Sequence, residues 1–423
     1  MKKIHLIVII ALISVLSGCD RGGSIQPDQA SYAPVNQISD QLTTEQKLED
    51  FEYMYNLIKD NYPFLKVNQR LTRVDWLANK DIYIRLVKAT QNDDDFFNML
   101  NQILTDLHND HTHVLGADEY WWTKEANEHA DDPSVRPWLK ELNKPVVVSR
   151  YSRSKSSTSS SQNIFSAATS SKVMTEIIQE NKVAYLYIPS LMNTQLKVDK
   201  EVITPFLEQV HNYETLIIDI RGNGGGVSAY WENYMVPMLI NQPVDWSLYL
   251  LYRGGAFSKP FIEANLGDHI DRLKPIRELR SEHLPKLPPE AFTDFKTYEK
   301  RVNVIKPNHS IGFQGKIYLL VDQGVYSSSE MWAYFAQQTK WATVVGDKTG
   351  GDGLSWGGSY AALPNSGYIF RLQLTFGLKY DGSADDEVKT TPDIFAPGPR
   401  VSPLTDDPAV QAVLKAEAER LGK

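Results

Sequence analysis

The sequence predicts an α/β fold with parallel strand pairing, preceded by a helical subdomain, and two patterns carry that prediction. From Lys182 onward, short apolar runs read as strands over 183–188, 215–220, 317–321 and 342–345. Helix-length amphipathic runs over 199–211 and 328–338 alternate with them, which is the signature of parallel pairing through helical crossovers. The N-terminal part has the 3.6-residue period instead. Thr43 and Gln46 form a capping box that opens a helix with Leu48, Phe51, Tyr55, Ile58 and Tyr62 on one face, ended by Pro63. A second helix starts at Asp93-Asp94-Asp95, whose charges suit a helix N-terminus, and carries Phe96, Leu100, Ile103, Leu104 and Leu107 as its apolar stripe.

Composition narrows the class. Of 423 residues, 42% are apolar and 11% aromatic, enough for a large packed core. The net charge of −8 and the lack of a lysine-rich run beyond Lys2 and Lys3 argue against nucleic acid as a partner. Those two lysines precede an apolar run over 4–16, too short to span a bilayer and of the form of a secretory signal. The run closes on Leu16-Ser17-Gly18-Cys19, which resembles the bacterial lipoprotein cleavage box with Cys19 as the lipidated residue. The expectation is a signal peptide over 1–18, a lipid anchor in the membrane, and a polar tether over 19–42. The domain would then face the periplasm or the exterior, and Asp20 resembles an inner-membrane retention signal. Cys19 is the only cysteine, so no disulfide, zinc–thiolate site or cysteine nucleophile is open to the domain.

Within the domain the pattern divides into a helical subdomain over 43–116, a variable bridging segment over 117–178, and an α/β core over 179–400. An insertion over 227–312 and a C-terminal helix over 401–423 complete it. The bridging segment shows little periodicity. It contains Tyr120-Trp121-Trp122, expected to shape a cleft or simply to pack, and a serine-rich stretch over 152–171.

Three motifs carry chemistry. DIRGNGGG at 219–226 ends a strand in bare backbone, where glycines let amides approach a ligand closely. A phosphate loop is disfavoured because no Gly-Lys-Ser/Thr follows; a tight turn and an oxyanion hole stay open. Ser327, in Tyr326-Ser327-Ser328-Ser329-Glu330, lies where a strand hands over to a helix. A hydroxyl there sits among unsatisfied amides that favour developing negative charge, yet the same residues form a capping box, and on local sequence the cap outweighs the nucleophile. Finally, His108, His111 and His113 crowd one turn. A catalytic imidazole is the sharper reading and a three-histidine metal site the lesser one; no metal ligand set is assigned and no cofactor is expected.

Together with Asn61-Tyr62-Pro63, His111-Thr112, Val345-Gly346-x-x-Thr349-Gly350-Gly351 and Thr391-Pro392-Asp393, these motifs resemble the tail-specific (C-terminal-processing) and tricorn-core serine peptidases over residues 44–114 and 180–415. The resemblance implies a crotonase/ClpP-like β-α spiral core. It makes Ser327 the nucleophile, with Gly224 or Gly225 and the Ser328 amide as oxyanion donors. The lysine base of the tail-specific branch is replaced here by Asp352. That aligns the chain with the tricorn-like branch, in which His111 matches the histidine base and Asp386 is the nearest match to its carboxylate partner, with Asp385 and Glu387 beside it. Lys348 would revive a serine–lysine pair if it filled the gap. No peptide-binding module of the tail-specific type is recognisable in 117–178. The expected activity is that of a serine endopeptidase acting on periplasmic or envelope proteins or peptides. The alternative is a catalytically inactive lipoprotein binding a peptide or apolar ligand on the same scaffold, like the retinoid-binding members that resemble this family.

Overall fold

The computed structural model describes residues 41–130, 132–155, 170–355, 358–420 and 422. The signal sequence, Cys19, Asp20, nearly all of the tether and most of the serine-rich stretch lie outside them. Among the described residues no helix is long and apolar enough to cross a membrane.

The core is a six-stranded sheet in the order Met174–Gln179, Val183–Tyr187, Thr215–Asp219, Lys316–Val321, Thr343–Gly346, Ile394–Phe395. The first pair is antiparallel and the others are parallel. Thr215–Asp219 is buried along its whole length, as a strand covered on both faces must be, which explains its unbroken apolar run. Helices Asn193–Gln209 and Ser328–Thr339 make crossovers between parallel neighbours. Three of these parallel strands end side by side at Asp219, Val321 and Gly346, so the loops that follow them share one edge of the sheet, where α/β folds place their sites.

The N-terminal helices Thr44–Asn61 and Asp93–Thr105 follow their apolar stripes, and Thr43 makes the reciprocal capping box with Gln46. The bridging segment departs from its weak pattern. Ala117–His129, Arg136–Leu142 and Pro145–Lys155 are helices, and the first sheet strand already begins at Met174. These helices are held by aromatic packing rather than by periodicity. Tyr120 stacks on Tyr151 at 4.0 Å between ring centroids and donates to the Leu142 carbonyl, so it is core rather than cleft wall. The insertion is also structured. Val244–Tyr252 and Thr297–Ile305 pair within a four-stranded antiparallel sheet completed by Lys274–Pro275 and Thr375–Leu378. Trp231 and Trp246 from the insertion pack against Trp332, Phe335 and each other behind helix Ser328–Thr339.

A buried ionic network ties the chain's C-terminal part to the strand beneath the glycine loop. Arg221 reaches Asp219 with Nε and Nη2 and Asp407 with Nη1 and Nη2, while Tyr185 donates to Asp219 Oδ2 at 2.6 Å. Asp407 Oδ1 in turn accepts the amides of Ala409 and Val410, capping helix Pro408–Arg420. Removing the cation leaves two carboxylates buried and unpaired, which is far costlier than the pair itself is stabilising. Arg221→Ala is therefore expected to lower the unfolding free energy by about 3–5 kcal/mol, read from urea denaturation. A loss under about 1 kcal/mol would sink the view that this network anchors the helix.

Candidate active site

Asn223, buried at the centre of the glycine loop, joins three segments. Its Nδ2 donates to the Ile188 carbonyl, and its Oδ1 accepts from the Gly225 amide and from Ser329 Oγ, each at 2.8–2.9 Å. Its backbone oxygen accepts from the Tyr326 amide at 3.3 Å. The glycine loop is thereby pressed onto the serine turn. A Cβ on Gly225 would lie 2.8 Å from the Tyr326 carbonyl oxygen and 3.0 Å from both Ser327 Cβ and the Ser328 amide nitrogen. Gly225 also has φ +103°, a conformation L-residues rarely adopt.

Ser327 occupies the N-cap position of helix Ser328–Thr339 with φ 58° and ψ −125°, and its side chain makes no capping bond. The capping-box reading thus falls away. Glu330 Oε1 turns instead to accept from Thr390 Oγ1 at 2.7 Å. Its neighbours spend their hydroxyls structurally: Ser328 Oγ donates to Ser228 and accepts from Trp231 Nε1, and Ser329 binds Asn223. A non-glycine residue held in so sparse a backbone region marks strain that the surroundings maintain, a frequent feature of reactive residues. The Ser328 amide, in the first turn of the helix, has no acceptor among the described residues.

The third loop supplies the charge. Gly350 and Gly351 pack on the serine turn through Gly350 N–H to the Val325 carbonyl at 2.7 Å and Ser327 N–H to the Gly351 carbonyl at 3.2 Å. They deliver Asp352, itself at φ 53°, into a buried position. One oxygen, Asp352 Oδ2, accepts from Tyr326 OH at 2.7 Å and Asn109 Nδ2 at 2.7 Å, and meets His111 Nδ1 at 2.5 Å. With Nδ1–H directed at a carboxylate, Nε2 is the basic nitrogen of the neutral ring. The buried imidazole lies against the Tyr326 ring, 5.0 Å between centroids, so it is one residue from Ser327. The Ser327 hydroxyl makes no hydrogen bond among the described residues, to His111 included; such contacts often close only when substrate binds.

Residues 182–395, just over half of the chain, match the profile of Peptidase family S41, and residues 43–105 match the tricorn protease C1 domain. The chain belongs to peptidase family S41. Its tail-specific and tricorn-like character agrees with the motif resemblance, and no curated protein matches it. A candidate peptidase from Parabacteroides merdae shares the fold at 18% identity and TM-score 0.54, covering 88% of this chain and 96% of the other. Mature CPAF complexed with lactacystin does so at 12% identity and TM-score 0.53, covering 90% and 98%.

Within this S41 site the geometry corrects one assignment. The carboxylate at His111 Nδ1 is Asp352, not Asp386. Asp386 sits in the short helix Asp385–Val388, docked on the Asp352 turn through Gly353 N–H to Asp385 Oδ2 at 3.0 Å. Burial first, then the negative charges of Asp352 and Asp385, hold the Asp386 carboxyl well above the usual carboxylate range. Glu387 faces away from the ring and pairs with Arg70. Lys348 is exposed, so the serine–lysine pair is not revived. The Gly225 amide is taken by Asn223, which leaves Gly224 and Ser328 as the open donors of the expected oxyanion set. The histidines do not converge: His108 is exposed, His113 pairs with Glu119, and among the described residues no cluster of three or more metal-ligating side chains occurs. Asn109, Tyr326 and Asn223 were not singled out as site residues. Asn109 lay inside the histidine turn and Asn223 inside the glycine run, each a polar residue where the motif's backbone needed holding.

Two outcomes follow from this geometry. Gly225→Ala should slow modification of Ser327 by a fluorophosphonate more than about a hundredfold, because the methyl displaces the serine turn; an unchanged labelling rate would refute the close-packed loop. Burial, then Asp385, raise the Glu330 carboxyl to about 7, opposed by Lys379. A carboxyl whose folded pKa is raised binds its proton more tightly folded than unfolded, so stability falls as pH rises from about 4.5 to about 7. Glu330→Gln should flatten that slope in denaturation measured across the interval. The wild-type loss is on the order of 3 kcal/mol.

Proposed function

We propose that this S41 protein is a serine endopeptidase acting through an acyl-enzyme, with Ser327 as nucleophile, His111 as general base and Asp352 as the group that orients it. The observation that carries this reading is the shared Asp352 oxygen, on which His111, Tyr326 and Asn109 converge beside a serine turn whose hydroxyl is not used as a cap. Asp352 fixes the imidazole tautomer and stabilises the imidazolium formed when Nε2 takes the Ser327 proton. Ser327 Oγ then attacks the scissile carbonyl. The negative charge that develops on the carbonyl oxygen is met by the Ser328 amide at the helix N-terminus and by the Gly224 amide. His111 returns its proton to the leaving amine, and a water activated by the same nitrogen releases the acyl group.

The inactive ligand-binding alternative drew its force from Asp352 standing where a lysine base would be. In this arrangement Asp352 is the partner of a different base, so the missing lysine no longer argues for loss of catalysis. The proposed substrates are periplasmic or envelope proteins or peptides, a reading that rests on the signal-like residues 1–18 and on Cys19 as a lipid anchor.

A fluorophosphonate probe should label the wild type and not Ser327→Ala; equal labelling would falsify the nucleophile assignment. Asp352→Asn should keep the fold while lowering turnover of an unfolded protein substrate by roughly ten-thousandfold, the scale seen when a triad carboxylate is lost. Asp386→Asn should lower it far less. The reverse order would restore Asp386 as the orienting acid.

A further inference from the structure

We propose that Arg70 is a positioning residue for the peptidase reaction, clamping the short helix Asp385–Val388 and, through it, the turn that brings Asp352 to His111. The inference rests on the peptidase reading and adds to it a residue from outside the site's motifs. Arg70 lies on helix Leu65–Thr72 of the helical subdomain. Its Nε and Nη2 donate to Glu387 Oε1 and Oε2 at 2.9 and 2.6 Å. Nη1 and Nη2 donate to Glu290 Oε2 and Oε1, each at 2.9 Å. Both edges of the guanidinium fork are thus filled by carboxylates, a geometry that a lysine cannot reproduce. Glu290 stands on the one-turn helix Pro289–Phe292 of the insertion, its side chain 1% exposed, and Glu387 stands on Asp385–Val388. Helical subdomain, insertion and site helix therefore meet on one side chain.

The site helix cannot fix itself. It has four residues, too few to be stable alone, and no side chain caps its N-terminus. It also carries three acids in a row, Asp385, Asp386 and Glu387, whose charges repel. Arg70 offsets that charge at one end. Lys379, 3.5 Å from Asp385 Oδ1, offsets it at the other. Asp385 Oδ2 then accepts the Gly353 amide at 3.0 Å, one residue from Asp352. Gly353 is itself pressed onto the serine helix, where a Cβ would meet the Met331 amide nitrogen at 2.6 Å and Glu330 Cβ at 2.7 Å. A shift of the short helix therefore passes into Asp352 rather than into slack at Gly353. The contact with His111 depends on one oxygen shared by three donors, so a displacement of about 1 Å is enough to lower turnover roughly a hundredfold.

The test compares the wild type with Glu387→Gln, which turns an amide donor against Nη2 but leaves Arg70 on buried Glu290, so that the fold should be kept. Two quantities are read. One is kcat and KM for an unfolded protein substrate. The other is the NMR signal of the His111 Nδ1 proton in protein carrying isotope-labelled histidine, assigned by its loss in His111→Gln. kcat should fall roughly a hundredfold with KM little changed, and the proton signal should move upfield as its bond to Asp352 lengthens. Arg70→Lys, which keeps a cation for Glu290 but loses the fork, should give the same two changes, and combining it with Glu387→Gln should add little to either. Wild-type kcat in both folded variants overturns the proposal, as does a fall in kcat with the Nδ1 signal unmoved, the mark of a purely structural loss. Fluorophosphonate labelling of the wild type reports separately on Ser327. Labelling with an unmoved signal in the variants removes only the positioning role; a moved signal in a chain the probe never labels removes only the catalytic reading.

Discussion

The site depends on the buried side chain of Asn223. One amide group satisfies a carbonyl at the end of the neighbouring strand, an amide of the glycine loop and a hydroxyl of the serine helix. Three segments that meet only through tertiary structure are thus held by a residue with no chemical part in the reaction. In a water-poor interior such bonds are stronger than at the surface, and losing one leaves its partner unsatisfied. The same bond that fixes the loop also withdraws the Gly225 amide from catalysis, so the residue matters for what it lacks, a side chain, rather than for what it donates.

Asp352 sets the electrostatics around that frame. Its charge is spread over three donors, and the Asp386 carboxyl nearby is kept from adding to it. Asp386 is held protonated to higher pH by burial and by Asp352 itself, and burial together with Asp352 pushes the Tyr326 hydroxyl far above its ordinary range. On the proposed mechanism, an aspartate in place of a lysine changes the role of the position, from base to support of a base. The histidine that it supports arrives from the helical subdomain, so the site needs both parts of the chain in place.

Four of the parallel strands were legible to within a residue or two because each is a short apolar run bounded by turns, and the first helix because its capping box and stripe agree; the two-residue edge strand Ile394–Phe395 was too short to leave such a run. Residues 117–155 were not, since Tyr120 on Tyr151 and Tyr120 on the Leu142 carbonyl are tertiary contacts that leave no periodic trace. At the site, the motifs located Ser327, His111 and the glycine loop, but not the carboxylate that meets the ring. Spacing from family motifs favoured Asp386, whereas the positive-φ turn at Asp352 decides which oxygen reaches Nδ1. Nor could sequence separate a capping serine from a free one: that depends on ψ at Ser327 and on Glu330 turning towards Thr390.

The salt-bridged link between Arg221 and Asp407 has a consequence for the order in which the chain is made. The glycine loop stands directly on Arg221, and the partner that completes its charge lies 186 residues further along. While a ribosome is still working through that interval, the arginine has only Asp219 beside it and the loop lacks its final footing. A chain cut short of Asp407 would keep the glycine loop, the serine turn and the histidine turn yet leave Arg221 with one of its two carboxylates, so the footing of the site lies outside every motif that marks it.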